Sequence, residues 1–487
     1  MSSIIVIESK AYSVSKEKED NMNKFENLAV SSTVVVALFV LNACSGSSSG
    51  GGTTLTAKTD AIGVLDTSFN SVGYVVDSNA SGGDSYDEGK AVAIDAQGRI
   101  VVTGMSANDN SNGDMVIWRY KSDGTLDQTF NGTGYVISSD LLGGVEDDEG
   151  MAVAVDANGK IVVAGFSNNG SNDDMVIWRY NEDGTVDTSF NNTGYVFHDG
   201  AAGGNGYDYA NALALDANGK IVVAGVSEDS TGHSEMTIWR YNSDGSLDTT
   251  FGGDGNVSHI GAAGGTGSDY GYGVAIDADG KIVVTGSSKN GNGYNDLAIW
   301  RYNSDGSLDT SFNGSGSTTR DNIAGGFKND EGHAVTFQDG KIIVTGFSVN
   351  IDDHIDMVIC RYLTDGSLDT SFNSSGCVVY DSGINTASNR DEGNAISIDA
   401  KNKIVVAGYS TKANSDWDMT IWRYNSDGTV DTTFNDVGHV VHDGAAGVAD
   451  QYDYGYGMVL DSTGKIIVTG SSNVNNGDSN MVVWRYR

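Results

Sequence analysis

The chain is long, strongly acidic and rich in glycine: its 487 residues include 66 glycines, no proline, 65 acidic and 28 basic side chains, for a net charge of −37. Such a surface repels the phosphates of nucleic acids and of anionic lipid headgroups, so composition argues against a nucleic-acid partner. The same charge suits divalent cations and cationic partners, although high solubility alone also explains it.

The N-terminal region has the composition of a targeting segment. Residues 1–21 form an extension ahead of Met22, which is a second candidate start. A short polar stretch then leads to the apolar run Leu28–Leu41. This run is too short to cross a bilayer but has the length of a signal-peptide core, so we assign residues 22–43 to a signal peptide.

The signal peptide ends in Leu41-Asn42-Ala43-Cys44, which resembles the lipobox of bacterial lipoproteins. The resemblance implies lipid attachment at Cys44, and Ser45 resembles the residue that follows this cysteine in lipoproteins sorted to the outer membrane. Residues 44–61 have the Gly/Ser-rich composition of a flexible tether. We therefore expect a lipid-anchored envelope protein, in the outer membrane and facing the periplasm or the cell surface. A fortuitous cysteine after an ordinary signal peptide is the alternative.

From residue 62 onward the sequence repeats itself. The landmark is a Trp-Arg-Tyr triplet, with Cys replacing Trp in the fifth copy, and its copies lie 60 to 62 residues apart. Self-similarity at a fixed period predicts a repeat architecture rather than several unrelated domains. The seven copies are Trp118-Arg119-Tyr120, Trp178-Arg179-Tyr180, Trp239-Arg240-Tyr241, Trp300-Arg301-Tyr302, Cys360-Arg361-Tyr362, Trp422-Arg423-Tyr424 and Trp484-Arg485-Tyr486.

Each repeat has the pattern of four short strands, which we name A to D. In the second repeat these are Ala152–Asp156, Lys160–Gly165, Met175–Tyr180 and a weaker strand near Gly194–Val196. Asn/Asp-Gly pairs between β-branched and aromatic runs are hairpin signals, and no segment carries a helical period. The sequence therefore predicts an all-β fold built from four-stranded antiparallel meanders.

The ends of the repeat region predict how the units join. The region opens with a D segment at Leu65–Phe69 and Gly73–Val75, and it stops at the C segment Trp484–Tyr486. Together the two fragments complete one unit, and pairing them would remove both exposed edges. We predict a seven-bladed β-propeller over residues 62–487, closed by the N-terminal strand pairing with the C-terminal blade, and acting as a monomer.

The recurring pattern D-G-K-I-V-V-A-G, followed by W-R-Y-N-x-D-G-S-L-D-T-S-F, resembles the bacterial delta-60 repeat. The resemblance covers the chain from about residue 62 to 487 and implies a β-propeller in an envelope setting. This repeat family has no established biochemical activity, so it supplies no catalytic residues. Six repeats of this chain have Trp where the family commonly has a smaller apolar residue.

Two further features predict structural bonds. Cys360 and Cys377 replace a Trp and a Tyr that stand 17 residues apart in other repeats, for example Trp178 and Tyr195. In an oxidising compartment this favours a disulfide, with two buried thiols as the alternative. The Arg of each triplet is predicted to pair with the Asp of a recurring Leu/Val-Asp element and so to brace its unit.

One face of the predicted disc is the place to look for a ligand. The B–C and D–A loops share this face and vary between repeats, whereas the A–B and C–D turns are short and uniform. One aspartate per repeat precedes each A strand, and these would surround the mouth of the central channel as a candidate ligand or cation ring. Capping of backbone N–H groups is the alternative. The ring residues are Asp87, Asp148, Asp208, Asp269, Asp330, Asp391 and Asp453.

Tyrosines at or near the position after the ring aspartate could contact sugars or cationic ligands, and packing between blades explains them equally well. The candidates are Tyr209, Tyr270, Tyr272, Tyr454 and Tyr456.

These observations favour a non-enzymatic binding scaffold that presents its acidic loop face to a protein, glycan or cation. The alternative is an extracellular polysaccharide hydrolase or lyase that uses the channel-mouth carboxylates. The repetitive character of that position favours binding, because enzymes on repeat scaffolds usually carry singular catalytic residues. We expect no cofactor; calcium is the one ion that oxygen-rich fragments such as Asn108–Asp114 suggest. His198, His259 and His442 occupy similar positions but lack zinc-site spacing.

Overall fold

The computed structural model describes residues 32–33, 62–383, 389–412, 416–447, 451–474 and 477–487. The predicted N-terminal extension, the lipidated Cys44 and the tether up to residue 61 lie outside the described residues, as does all of the signal peptide except β1 (Ser32–Thr33). From residue 62 the described chain is almost entirely strand and turn, with one 3₁₀ turn at Phe372–Ser374.

The predicted four-strand pattern is present in each of the seven repeats. The A strands are β3 (Gly82–Ile94), β7 (Asp148–Val155), β11 (Gly203–Leu215), β15 (Gly264–Ile276), β19 (Gly325–Gln338), β23 (Asp391–Ile398) and β27 (Asp453–Leu460). The B strands are β4 (Ile100–Asn108), β8 (Ile161–Asn168), β12 (Ile221–Asp229), β16 (Ile282–Asn290), β20 (Lys341–Asn350), β24 (Ile404–Thr411) and β28 (Ile466–Asn473).

The C strands carry the Trp-Arg-Tyr landmark at their ends, and the D strands are only four residues long. The C strands are β5 (Gly113–Tyr120), β9 (Asp173–Tyr180), β13 (Ser234–Tyr241), β17 (Asn295–Tyr302), β21 (Ile355–Tyr362), β25 (Trp417–Tyr424) and β29 (Ser479–Tyr486). The D strands are β2 (Tyr74–Asp77), β6 (Tyr135–Ser138), β10 (Tyr195–His198), β14 (Asn256–His259), β18 (Ser317–Arg320), β22 (Cys377–Tyr380) and β26 (His439–His442).

Within a unit the strands pair antiparallel in the order A, B, C, D. In the second unit Val153 pairs with Val163, Val163 with Trp178, and Trp178 with Tyr195. The B and C strands are buried on both faces because each unit is packed between two neighbours, so they are apolar along their length rather than alternating. Gly165 illustrates the tightness: a Cβ there would lie 1.8 Å from the carbonyl oxygen of Glu149.

The way in which the units join corrects the predicted architecture. Hydrogen bonding divides the strands into six sheets, and five of these are discrete blades with one four-stranded unit each. One of the five also carries β1, parallel to β11. The sixth sheet has eight strands and contains two units, β3–β6 and β27–β29 with β2. The prediction of seven separate four-stranded blades is therefore wrong: the protein has five discrete blades and one double sheet.

The double sheet has a local cause. The predicted partners do pair, since β2 runs antiparallel to β29 with Tyr74 opposite Trp484. However, β29 also makes a parallel bridge to β3, between Ser479 and Tyr86. The simple closure by β2 alone is thus incomplete, because the first residue of β29 reaches the inner strand of the next unit. Ile355 and Arg390 make the equivalent bridge at another junction.

The hydrophobic core is divided into layers between neighbouring units. Each large buried cluster of the described residues combines strands of two adjacent units, as where Val101 and Ile117 meet Val163 and Trp178. One layer joins β28 and β29 of the last repeat to β3–β5 of the first. The six landmark tryptophans are at most 2% exposed. Burial of these bulky rings explains why the sequence repeats them: each is shared by two units.

Both structural bonds predicted from the sequence are confirmed. Cys360 and Cys377 form a disulfide between directly paired residues of β21 and β22, where other units pair Trp with Tyr. In the second unit Arg179 Nε donates to Asp187 Oδ2 at 2.8 Å, Lys160 Nζ approaches the same oxygen at 3.2 Å, and the guanidinium lies over the Phe190 ring. We call this Arg–Asp–Lys group the brace.

The brace also links neighbouring units, because Arg179 Nη1 donates to the carbonyl oxygen of Ser243 in the next C–D turn. Burial opposes ionisation of Asp187, but hydrogen bonds from Ser189 and Lys160 outweigh it and lower its pKa to about 2. The Arg–Asp pair recurs as Arg119–Asp127, Arg179–Asp187, Arg240–Asp248, Arg301–Asp309, Arg361–Asp369, Arg423–Asp431 and Arg485–Asp66.

Candidate ligand-binding face

The B–C and D–A loops lie together, as predicted, on the face opposite the braces. We call this side the loop face. The beginning of β11 pairs with the end of β12, and Ser234, the first residue of β13 after the B–C loop, donates its N–H to Ser268 of the next A strand. A shallow groove of about 540 Å³ lies on this face, lined by residues such as His233, Gly265 and Lys289.

The seven ring aspartates do not form an open ring of carboxylates. Each is at most 2% exposed. In each, Oδ2 accepts a backbone N–H from the preceding D–A loop, as Asp208 does from Gly200 at 2.8 Å. The other donors are Asn79, Leu141, Ala262, Asn322, Ser382 and Gly444. The structure thus places these aspartates as caps that fix the D–A loops, which is the alternative raised by the sequence.

Burial raises the pKa of six of these carboxyls to about 6, and the hydrogen bonds from serine and backbone N–H groups only partly offset it. The six are Asp87, Asp148, Asp208, Asp330, Asp391 and Asp453. An ionised carboxylate is therefore costly at these positions at neutral pH unless a cation lies nearby.

At three junctions the ring aspartate meets two further aspartates, one at the C strand of the preceding unit and one just after its D strand. Within each group, carboxylate oxygens lie within 4.8 Å of one another. The trios are Asp174–Asp199–Asp208, Asp356–Asp381–Asp391 and Asp418–Asp443–Asp453. In the sequence, the C-strand and ring aspartates of a trio stand in different repeats, and no pattern there indicates that the register of neighbouring units brings them together.

The tyrosine candidates are mostly packing residues. Tyr209, Tyr272 and Tyr456 are at most 9% exposed, whereas Tyr270 and Tyr454 are half-buried. Tyr209 packs edge-on against Phe166, and its hydroxyl donates to Asp173 of the preceding unit at 2.7 Å. The other four stack in pairs within single strands, Tyr270 on Tyr272 and Tyr454 on Tyr456.

A further set of residues, of which only Tyr272 and Tyr456 were among the candidates, marks a position at which the repeats differ from one another. Three positions after each ring aspartate, the A strand has a β-bulge that leaves one residue out of register. Bulges re-aim side chains and are frequent beside functional sites. The bulge residues are Lys90, Met151, Asn211, Tyr272, His333, Asn394 and Tyr456, all at most 9% exposed. The signal in the sequence was the variation of this position between otherwise uniform neighbours.

Two of the bulge residues lie in buried charged clusters. Lys90 Nζ contacts Glu88 and lies 3.3 Å from Glu149. Burial raises the pKa of Glu149 to about 7, although Lys90 opposes the shift. In the fifth unit, burial likewise raises the pKa of Glu331 to about 7, and the neighbouring His333 has its pKa lowered by burial. Lys90, Glu149, Glu331 and His333 all lie under the surface, at 7% exposure or less.

Exposed apolar and aromatic side chains also mark the loop face. Ile351 in a B–C loop, Phe327 in β19 and Val145 in a D–A loop are 79%, 74% and 72% exposed. The remaining tryptophan, Trp417, lies at the start of β25 with its ring 5.2 Å from that of Tyr452. Phe327 and Ile351 lie in neighbouring segments, since Gly325 of β19 pairs with Asn350 of β20, and contiguous exposed apolar side chains mark contact surfaces.

The three histidines of the D–A region pack rather than cluster: His198, His259 and His442 each lie edge-on against a landmark tryptophan of the next unit. Among the described residues the groups able to hold a metal ion consist of aspartates alone. No helix in the described part of the chain is long and apolar enough to cross a membrane.

These features define a class: an all-β propeller built from four-stranded repeats. Seven stretches of the chain match the family described as "Domain of unknown function (DUF5122) beta-propeller", namely residues 97–130, 157–190, 217–251, 278–312, 338–372, 402–434 and 462–487. Each match spans the B strand, the C strand and the Leu/Val-Asp element, apart from the last, which ends with β29. No curated protein matches the sequence.

Similar solved structures include a protein of unknown function from Dyadobacter fermentans DSM 18053, at 11% identity and a TM-score of 0.43, covering 85% of this chain and 98% of that one. Polysaccharide lyase Uly1 is similar at 11% identity and a TM-score of 0.45, covering 82% and 90%. The β-propeller domain of the Trilobed protease from Pyrococcus furiosus is similar at 11% identity and 0.39, covering 81% and 95%. None of these similarities carries a functional argument.

Proposed function

We propose that the protein is a non-enzymatic binding scaffold of the cell envelope that contacts a protein partner through the loop face. One observation carries this proposal: the three most exposed large apolar side chains of the described residues, Ile351, Phe327 and Val145, all lie on that face. The next most exposed, such as Phe197 and Val437, lie on the outer D strand or beside the C–D turns and are about half exposed.

The charge of the protein indicates the chemistry of the partner. At a net charge of −37, apolar anchors on an acidic surface suit a partner whose surface is basic around an apolar pocket. Steering by charge would speed the encounter, and burial of the anchors would supply affinity. The ring aspartates add little to the proposed contact with a partner, because they are buried and cap the D–A loops.

The test compares two matched pairs of substitutions in the full chain. Phe327→Ser with Ile351→Ser removes the loop-face anchors, and Val186→Ser with Val430→Ser removes exposed apolar residues beside the C–D turns. Partners are captured from a solubilised envelope fraction, identified, purified, and titrated against each variant. We expect at least a tenfold loss of affinity for the first pair and no change for the second. Equal affinity for all variants would refute the proposal.

The envelope location rests on the Leu41–Cys44 motif and is supported by the Cys360–Cys377 disulfide, which suits an oxidising compartment. Lipid attached to Cys44 would hold the protein in the outer membrane. Cys44→Ser should then move the protein from the membrane fraction to the soluble fraction of lysed cells. Retention of the variant in the membrane would count against the anchor.

A polysaccharide ligand is the second candidate, and the neighbouring rings of Trp417 and Tyr452, whose centroids lie 5.2 Å apart, support it because aromatic faces suit sugar rings. A glycan array with Trp417→Ala as the control addresses binding. Turnover is tested by the chain length of polysaccharides incubated with the protein. Cleavage that is abolished by a change of one ring aspartate, such as Asp330→Asn, would replace the scaffold proposal with the hydrolase or lyase.

A further inference from the structure

The trio at the junction of the second and third units has an unusual charge balance. Asp174 lies in β9, Asp199 directly follows β10, and Asp208 lies in β11, so three strands bring the carboxylates together. Asp174 and Asp208 are 2% and 1% exposed, whereas Asp199 is exposed. In the part of the chain that the structure describes, none of the three forms an ion pair.

Asp174 keeps one buried oxygen without a hydrogen-bond partner: its Oδ2 accepts from Asn169 Nδ2 at 2.9 Å, and its Oδ1 accepts from no group of the described residues. Asp208 is better supplied, since its Oδ2 accepts from the Gly200 N–H and its carboxyl also has a side-chain hydrogen bond with Ser227. A buried carboxylate oxygen without a partner costs free energy that a bound cation would recover.

Another junction of the same protein shows how this arrangement can be neutralised. In the trio Asp418–Asp443–Asp453, the ammonium of Lys412 lies 3.2 Å from Asp418 Oδ2 and contacts Asp443. Lys412 is the first residue after β24, and the residue in the same place after β8 is Asn169. One junction therefore supplies its own cation, and the equivalent position of the other carries a neutral amide.

The third trio is satisfied in a different way. Asn350 donates to both oxygens of Asp356, and Asp391 accepts from Ser382 and Ser410. Hydrogen-bond donors thus replace a cation there. Buried oxygens without a hydrogen-bond partner also remain at Asp418 and Asp453, but Lys412 balances their charge, so Asp174–Asp199–Asp208 is the trio that combines such an oxygen with no ammonium beside it.

We propose that Asp174, Asp199 and Asp208 bind a divalent cation, with calcium preferred. The ligand atoms are all carboxylate oxygens, and calcium takes six to eight such ligands at about 2.3–2.6 Å, so oxygens up to 4.8 Å apart can share one ion. Magnesium demands a tighter octahedron with bonds of about 2.0–2.1 Å. The exposed Asp199 leaves one side of the site open for entry and for water ligands. This site does not depend on the partner surface proposed above.

The experiment measures calcium binding by the full chain after removal of metal with a chelator. Titration calorimetry and the thermal midpoint are followed with calcium chloride and, separately, magnesium chloride. We expect calcium to bind at this site and to raise the midpoint, with at least tenfold weaker binding of magnesium. No heat and no rise in the midpoint with calcium would overturn the proposal.

Two substitutions identify the site. Asp199→Asn removes an exposed ligand and should lower the stoichiometry by one ion. Asn169→Lys places an ammonium where Lys412 stands in the other trio, so it should raise the midpoint without calcium and also remove one ion. Asp443→Asn, at the junction that holds Lys412, is the matched control and should leave binding at Asp174–Asp199–Asp208 unchanged.

The outcomes separate cleanly. If calcium binds equally to wild type, Asp199→Asn and Asn169→Lys, the ion lies elsewhere and the proposal fails. If Asp199→Asn loses its native near-ultraviolet circular dichroism, Asn169→Lys decides alone, because it adds a charge pair instead of removing a ligand. Unchanged capture of the partner by either variant leaves the proposed scaffold function standing whatever the result for calcium.

Discussion

Both faces of the protein bury aspartates, but the pKa of these carboxyls is shifted in opposite directions on the two faces. On the brace face, hydrogen bonds and cations outweigh burial and lower the pKa of Asp187 to about 2. On the loop face, burial prevails and raises the pKa of Asp208 to about 6. In every repeat the brace aspartate is paired with an arginine. Among the described residues, the loop face contains carboxylates without an ion pair, which a bound cation or a proton can neutralise, so we expect the loop face to respond to pH and to cations.

Breaking a brace should have the largest effect. Arg179→Ala leaves Asp187 buried beside Lys160 alone and removes the bond to Ser243 of the next unit. We expect a loss of roughly 3–5 kcal/mol in the free energy of unfolding, as for other buried ion pairs that lose one partner. Urea unfolding of the variant and of wild type measures this difference in the free energy of unfolding. Lys121→Ala, an exposed residue of the same face, should change stability by less than about 0.5 kcal/mol. Equal stability of both variants would contradict the structural role of the brace.

The fifth unit offers a second comparison, between a covalent and a packed pair. Replacing Cys360 and Cys377 together by alanine removes a bond that closes a 17-residue separation, and we expect a loss of about 3 kcal/mol. Cys360→Trp with Cys377→Tyr restores the pair found in the second unit, Trp178 and Tyr195, and should lose less. Urea unfolding compares both with wild type. An identical loss in the two variants would show that the packing of this pair does not matter.

The pH dependence of stability should sharpen the contrast between the faces. A ring aspartate with a pKa of about 6 in the folded state stabilises the fold fully below its unfolded pKa of about 3.8, and this contribution is lost as pH rises through 6. A brace aspartate such as Asp187 contributes above about 3.8, and this contribution is lost as pH falls through 2. In chelator, the thermal midpoint should therefore rise as pH falls from 8 to 5 and decline below about 3.

The isosteric change Asp208→Asn tests the assignment of this pH effect to the ring. It should reduce the stability difference between pH 5 and pH 8 by on the order of 1–3 kcal/mol. Asp436→Asn, at an exposed turn, is the matched control for the loss of one charge. A pH profile that Asp208→Asn leaves unchanged would assign the effect to the overall net charge.

The sequence predicted the repeat, the four strands, the disulfide and the Arg–Asp pairs because each depends on contacts within one unit or its close neighbour. Trp178 and Tyr195, for example, pair in the same sheet. The sequence did not predict the parallel bridge between Ser479 and Tyr86, because a single backbone bridge does not change the pattern of residues that repeats about every 60 positions. The ring aspartates recur at the predicted positions, but their burial depends on how the D–A loop folds over them.

The bulge residues illustrate a different limit. Lys90 and His333 sit where neighbouring units meet, and their surroundings come from strands of two repeats. The residues at this position differ between repeats, so the sequence alone does not indicate that a β-bulge turns all of them toward the neighbouring unit. The same holds for Lys412, whose role becomes visible only when its ammonium is placed beside Asp418 and Asp443.

The bond between Arg485 and Asp66 joins residues 419 positions apart. Within the described residues, the partner of strand β2 is β29, so a nascent chain carries residues 74–77 without that partner until residues 479–486 have been made. Contacts of such long separation form late, and the first and last repeats should be the slowest to assemble. During folding, the first and last repeats would therefore expose unpaired strand edges for longest, and those edges are where wrong pairing with another chain can occur.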